Sequence, residues 1–358
     1  MRIFSITLCL LFHGILFAQG VITRMNGGNS FFRYDGNIQA VLDDAEQAVG
    51  MDTIILGGGT YLLTTDLFVQ SPIVMIGTGM HPDSALAYSG RTVIDGGSNM
   101  ELFVESNASG SEFHGLTFVN NVDVHLGTGT LASTNADNLL FNRCQFVRLF
   151  LGNGSNGSLA DDTFIRECIM EVLDVSESTG LTVLNSVIGS VTNTLTSSSV
   201  LIENSLFMDW NLSGNAGIQY NSNIFLINSG STFNITQQSQ FQNNLFVGSG
   251  AGFNVTYGPG VVQSGNEVDY PLSGANGAFP SATVTSFTTF SHQADYTVAP
   301  QWQTLGVGGT AVGIMGGAVP WKVGSLPFNP HWTLLASPSA TSNGTLQGVQ
   351  IKASAQQN

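Results

Sequence analysis

Phe113-His114-Gly115-Leu116-Thr117-Phe118 and Phe141-Asn142-Arg143-Cys144-Gln145-Phe146 share a pattern whose recurrence decides the fold. Five further segments repeat it, at residues 165–170, 183–188, 202–207, 220–225 and 241–246. Their fourth positions form the series Leu116, Cys144, Cys168, Ser186, Ser205, Asn223 and Asn244, spaced by 28, 24, 18, 19, 18 and 21 residues. A period of about 20 residues is the mark of a solenoid, whose repeats bury their apolar sides only by stacking on one another.

The first and sixth positions are apolar in every repeat, so the rows Phe113 to Phe241 and Phe118 to Phe246 are expected to face a core. Positions two and three between them are mostly polar, for example Asn142, Arg143, Glu203, Asn204 and Asn243, and the chain must bend there. A short strand, a bend rich in Asn or Gly and a second short strand describe an all-β fold, a parallel β-helix. Its coils should stack at the ordinary strand spacing of about 4.8 Å. The Leu-x-x-Leu-x-Leu spacing of leucine-rich repeats is absent.

Composition points the same way. Of 358 residues only 9 are Lys or Arg and 24 Asp or Glu, while 43 are Gly and 42% are hydrophobic. That is too apolar for a disordered chain and too poor in helix formers for a bundle. Arg2, the apolar run Ile3 to Phe17 and the small Ala18 read as a secretory signal peptide over residues 1–18, with the mature chain starting near Gln19. The run is shorter than the roughly 20 residues of a membrane-spanning helix, so no span is expected in the mature chain, and the protein should be secreted or at the cell surface.

Loss of Arg2 leaves 8 basic residues (9 − 1) against 24 acidic ones, a net charge of −16. Such a field repels nucleic acid and anionic membranes, which bind proteins through Lys and Arg. Only Cys144 and Cys168 remain, which excludes a disulfide scaffold or a Cys-rich zinc site. They hold the same repeat position one coil apart. Their side chains should point the same way, with Cβ atoms too far apart for an unstrained bridge, so both are expected as free thiols.

Upstream, Ile38 to Val49 has apolar residues at 38, 41, 42, 45 and 49, the helical spacing, and Met51-Asp-Thr-Ile-Ile-Leu-Gly-Gly-Gly-Thr-Tyr-Leu-Leu63 follows as a strand with a Gly turn. This pair, with Ile73 to Gly79 and Thr92 to Gly96, resembles the entry of the pectin-lyase-like right-handed parallel β-helix superfamily, where a helix closes the core and leads into a D-T-I-x-L-x-x-G-T-Y strand. Asp295-Tyr296 followed by Gly313-Ile-Met-Gly-Gly317 resembles the last coil of such proteins, without the acidic residues usual before that glycine cluster. The stretch Gly77 to Ser84 and Asn329-Pro-His331 resemble uncharacterised secreted β-helix proteins of Bacteroidetes-type bacteria. The resemblance implies a right-handed β-helix over residues 19–320 with a capping helix at 38–49. Residues 321–358 form an extension in which Trp332 to Ala336 and the alternating Gly348 to Ala355 pair across an Asn343-Gly344 turn.

The resemblance also raises polysaccharide lyase or glycoside hydrolase activity, so the residues those reactions need are the test. Elimination needs a base beside acids that hold calcium against the substrate. Lys322 and Lys352 lie beyond the coils, and Arg143, shifted by one coil of 24 residues, stacks over Glu167 as an expected salt bridge. The same shift places Asp137 on Asp161 and Asn138 on Asp162, three carboxylates and an amide within about 5 Å, a candidate Ca2+ site. The alternative is that these residues build solvated turns. Asp161-Asp162 resembles the paired acids of polygalacturonase-type hydrolases, but their Gly-His-Gly and Arg-Ile-Lys elements are absent.

Histidines 81, 114, 125, 292 and 331 form no zinc-binding spacing, and no Gly-x-Ser-x-Gly elbow or phosphate-binding glycine loop occurs. Arg148, Arg166 and His114 stand as polar candidates for ligand contact on the coils. The fifth positions Ile169, Val187, Leu206, Ile224 and Leu245 form an apolar row that, if outward, needs cover, which the long segment after residue 290 is able to supply. The favoured expectation is a non-catalytic β-helix in adhesion or carbohydrate contact, with a polysaccharide or cell-surface glycan as partner. The alternative is a divergent lyase or hydrolase using Asp137, Asp161 and Asp162.

Overall fold

The computed structural model describes residues 21–33, 36–80, 90–97, 100–120, 123–126, 135–152, 160–176, 178–192, 199–208, 217–236, 238–321, 331–336 and 350–354. The signal-peptide reading, the Asn343-Gly344 turn, residues 81–84 of the Gly77–Ser84 motif and residues 329–330 of the Asn329–His331 motif lie outside them. The fold is a parallel β-solenoid. Sheet 1 runs through Asp52–Leu56, Ile73–Ile76 and Glu112–His114 to Val262–Ser264, and sheet 2 through Gly59–Leu62, Thr92–Asp95 and Leu116–Val119 to Glu267–Asp269. Strands one repeat apart pair in parallel and in register, as in Phe113, Phe141, Ile165 and Val183.

Both apolar rows lie in the core. Phe113, Phe141, Phe118, Phe146, Tyr220 and Phe241 are all essentially inaccessible. In-register pairing also stacks their rings: Phe113 on Phe141 at 5.0 Å, Phe118 on Phe146 at 5.3 Å and Phe225 on Phe246 at 4.9 Å between centroids. Such offset stacks add about 0.5–1.5 kcal/mol each to the burial of the rings.

From the coil of Gly115 onward the bend between the sheets is the same. The third position takes the left-handed conformation at Gly115, Arg143, Glu167, Asn185, Asn204, Ser222, Asn243 and Gly265, with φ between 46° and 63°. Asn and Gly suit this region, whereas Arg and Glu do not. Those two costly positions hold each other: Arg143 Nε lies 2.9 Å from Glu167 Oε2, with both side chains almost fully buried.

Next to it, the fourth position turns inward and closes a ladder. Each backbone N–H donates to the side chain one coil ahead: Cys144 N to Cys168 Sγ (3.4 Å), Cys168 N to Ser186 Oγ (3.1 Å), Ser186 N to Ser205 Oγ (3.1 Å) and Ser205 N to Asn223 Oδ1 (2.8 Å). Asn223 N to Asn244 Oδ1 (2.8 Å) and Asn244 N to Asn266 Oδ1 (3.0 Å) continue it. The asparagine amides donate in turn to core carbonyls of Ile202, Tyr220 and Phe241. The bend N–H groups and the asparagine amides of this ladder are thereby paired within the protein.

Helix α1, Ile38–Glu46, begins at an Asn37 cap whose side chain accepts from Ala40 N, and buries Ile38, Val41, Leu42 and Ala45. It stops short of the expected end at residue 49. Gln47 is its C-cap, and Val49, although at helical spacing, is 96% exposed. A hairpin outside the sequence expectations, Ile22–Asn26 with Asn29–Arg33, adds antiparallel strands to the first edge of sheet 1 through Asn26-Gly27-Gly28-Asn29. Arg24 fixes it to the first coil by an ion pair with the buried Asp52, at 2.6 Å.

The coils end at Glu267–Asp269. Residues 270–321, including the Gly313–Gly317 cluster expected as a last coil, instead lie on the outside of sheet 2. Leu272, Phe279, Val284, Tyr296, Val312, Ile314 and Trp321 form a second apolar cluster with Val187, Leu206, Ile224 and Leu245, so the fifth-position row has intramolecular cover. Its return limb runs backwards along the bend. Asn243 Nδ2 donates to Leu305 O, Val307 N to Ser222 Oγ, Asn204 Nδ2 to Ala311 O, and Asn185 Nδ2 to Ile314 O and Gly316 O. Gly316 is required there, because an added Cβ would run into the Ala311 carbonyl. Farther on, His331–Ala336 pairs antiparallel with Gln350–Ser354.

Two outcomes follow from this packing. Phe146→Ala leaves a cavity inside a ring stack and should lower stability by about 3–5 kcal/mol, read by denaturant unfolding. Cys144 and Cys168 are buried free thiols, and burial raises the Cys168 pKa well above its ordinary value. Alkylation in denaturant without reductant should therefore label both; an unlabelled protein would reveal a bridge.

Candidate functional site

The turn before each sheet 1 strand also repeats, with left-handed residues at Gly110, Asn138, Asp162 and Gly180. Asp137 and Asp161 stack here as expected, and their carboxylates serve the backbone. Asp137 N donates to Ser109 Oγ (3.0 Å), Asp161 N to Asp137 Oδ1 (3.1 Å) and Thr179 N to Asp161 Oδ1 (2.9 Å), which also accepts from the Thr179 hydroxyl at 2.6 Å. Asp162 is exposed and lies against Gly180. Among the described residues no group of three or more His, Cys, Asp or Glu is arranged to hold a metal ion. Asp137 and Asp161 each accept a turn N–H of the next coil through Oδ1.

His114 and Arg166 come together on the outer side of sheet 1. Asn142 stands between them, one coil from each, and accepts from Arg166 Nε at 3.3 Å, while its amide lies 3.4 Å from His114 Nδ1. His114 Nε2 meets Glu112 Oε2 at 3.0 Å. This strip is a chain of mutually paired polar groups, with no cation standing alone among acids.

Arg148 sits on a different face. The long strand Gln145–Leu151 passes from sheet 2 into an extension made of Leu67–Val69, Glu101–Val104 and Asp123–Leu126, all parallel and in register. Alternation along these strands sends Leu102, Val124 and Leu149 inward and Phe68, Phe103, His125 and Phe150 outward. The outward rings stack in one ladder: Phe68 on Phe103 at 5.2 Å, Phe103 on His125 at 5.3 Å and His125 on Phe150 at 4.6 Å, the last pair nearly parallel at 2°. The ladder lies outside the six-residue repeat, with His125 seven residues after Phe118 but Phe150 only four after Phe146, so extending the alignment does not bring its members together.

Two residues before the rings runs a charged row. Glu101, Asp123 and Arg148 are neighbours in register; Arg148 Nη1 lies 3.7 Å from Asp123 Oδ2, and His125 Nε2 lies 3.7 Å from Glu101 Oε2. Arg148 is 54% exposed, so this pairing leaves its guanidinium free to contact a ligand. Burial lowers the His125 pKa, opposed by the carboxylates of Glu101, Asp123 and Asp66. The ring is therefore neutral at neutral pH. Its contribution to stability is full above the ordinary histidine range and is lost as pH falls through the lowered pKa.

Metal binding at the acidic turn has a direct test. Asp161→Asn keeps the Oδ1 acceptor and should melt like the parent, whereas Asp161→Ala strands the Thr179 N–H and should cost about 1–3 kcal/mol. Calcium at millimolar concentration should move neither melting curve; a shift in the parent that Asp161→Asn abolishes would establish a cation site.

The chain matches no protein-family model, no curated protein and no solved structure.

Proposed function

We propose that the protein is an extracellular β-solenoid that holds glycan without processing it. The observation that carries this reading is the outward ladder Phe68, Phe103, His125 and Phe150, flanked in register by Glu101, Asp123 and the exposed Arg148. Half-buried rings beside fixed polar groups are the chemistry that contacts a sugar, which is apolar on its ring faces and rich in hydroxyls at its edge. Against catalysis stands the employment of the coil acids: Asp137 and Asp161 cap turns, Glu167 is paired with Arg143, and Glu112 is paired with His114. An acid and base poised on either side of a scissile bond need to be free of such duties. Membership of the pectin-lyase-like superfamily and a secretory leader at residues 1–18 belong to the same reading. They rest on the Asp52-to-Tyr61 motif and on the apolar run after Arg2.

A glycan array probed with the full mature chain, with and without calcium, tests it. Binding should be found and should weaken about tenfold in Arg148→Ala, whose exposed side chain contributes little to folding. No product should form from uronate polymers. Release of unsaturated or reducing ends would replace this reading with the lyase or hydrolase one.

A further inference from the structure

Phe68 ends the ring ladder on the side of α1. Its ring packs on Phe103, and it also forms a wall of an open cleft of about 350 Å3 with Gln39, Asp43, Thr65, Asp66 and Gln70. Its position is fixed from both sides of its backbone. Phe68 N donates to Gln39 Oε1 at 2.8 Å, and Gln39 Nε2 lies 3.4 Å from Phe68 O. The strand Leu67–Val69 pairs with Glu101–Val104 on its other edge, so α1 supplies the partner that the free edge of the strand lacks.

The rim of this cleft is one-sided in its hydrogen bonding. The Gln39 amide donates to Asp43 Oδ1 at 2.6 Å within the rim itself, and the Gln70 amide to Glu105 Oε2 at 3.0 Å, so each amide already has a donor engaged by a carboxylate. Asp66 accepts Glu101 N at 3.0 Å through one oxygen, which anchors its carboxylate at the lip. What the walls present is two carboxylates, one hydroxyl and an aromatic ring, with no Lys or Arg among them. Carboxylates only accept, and a ring face attracts positive charge, so the complementary ligand donates hydrogen bonds, carries a cation and has an apolar face.

We infer that the cleft binds a protonated amino sugar, its ring on Phe68 and its ammonium between Asp43 and Asp66. This rests on the glycan reading above and adds to it a site and a ligand class. An anionic uronate is disfavoured at the same place by the two carboxylates.

The test is calorimetric titration of the full mature chain in mildly acidic buffer, where the sugar amine is protonated. The probes are a β-1,4-linked glucosamine oligomer, its fully N-acetylated counterpart and n-butylammonium. Asp43→Asn and Asp66→Asn keep the oxygens that accept from Gln39 and Glu101, and thermal melting checks that each folds. The glucosamine oligomer should bind, and its affinity should fall about tenfold or more on N-acetylation of the sugar or in either variant. Equal binding of the N-acetylated oligomer, unchanged binding in both variants, or butylammonium binding as tightly as the oligomer would overturn the inference. If other glycans bind through Arg148 while these variants change nothing, the cleft assignment fails and the glycan reading stands. If no sugar binds at all, both fail.

Discussion

The structure depends on one recurring bond, the donation of a bend N–H in one coil to the side chain at the equivalent place in the next. A strand, a left-handed residue and a second strand bring buried backbone donors to a corner where neither sheet can use them. The fourth-position side chains supply the acceptors, first sulfur at Cys168, then hydroxyls at Ser186 and Ser205, then amides at Asn223, Asn244 and Asn266. Left unsatisfied, each such donor would cost about 1–3 kcal/mol. From Cys144 onward the corner therefore holds only small or amide side chains, whereas the first coil of the series places the apolar Leu116 there.

This constraint explains what the sequence made legible. The first and sixth rows were readable because a packed core tolerates only apolar side chains there, and the Arg143–Glu167 pair was readable because both fall on one repeat position. Stacking of Asp137 on Asp161 was equally legible, but its purpose was not. An aspartate that accepts a turn N–H and one that waits for calcium occupy the same repeat position. What the structure adds is the bond from Thr179 N to Asp161 Oδ1, a turn duty that the spacing alone does not reveal.

The rest was hidden for physical reasons that differ from case to case. Val49 continues the helical spacing of α1, but spacing cannot tell where backbone hydrogen bonding stops, and Gln47 already caps the helix. Residues 270–321 have no period because they follow the outer surface of other strands and form no strands of their own. Their glycines mark close passage over Asn204 and Ile224, which mimics the glycine cluster of a closing coil. The ring ladder was missed because its members belong to strands of unequal loop length, at residues 68, 103, 125 and 150, where register exists only in three dimensions.

The return limb at residues 305–316 changes how the molecule comes apart. A plain solenoid is a row of nearest neighbours, free to fray coil by coil from either end. Here Leu305 is held at Asn243, Val307 at Ser222, Ala311 at Asn204 and Ile314 at Asn185, contacts that span as many as 131 residues of chain. Four consecutive coils are thereby stapled along their length, and none of them can open without releasing the same strand of chain from the others. The C-terminal half of the solenoid becomes a single cooperative unit, resistant to proteases that exploit local fraying, while the N-terminal coils answer only to their immediate neighbours.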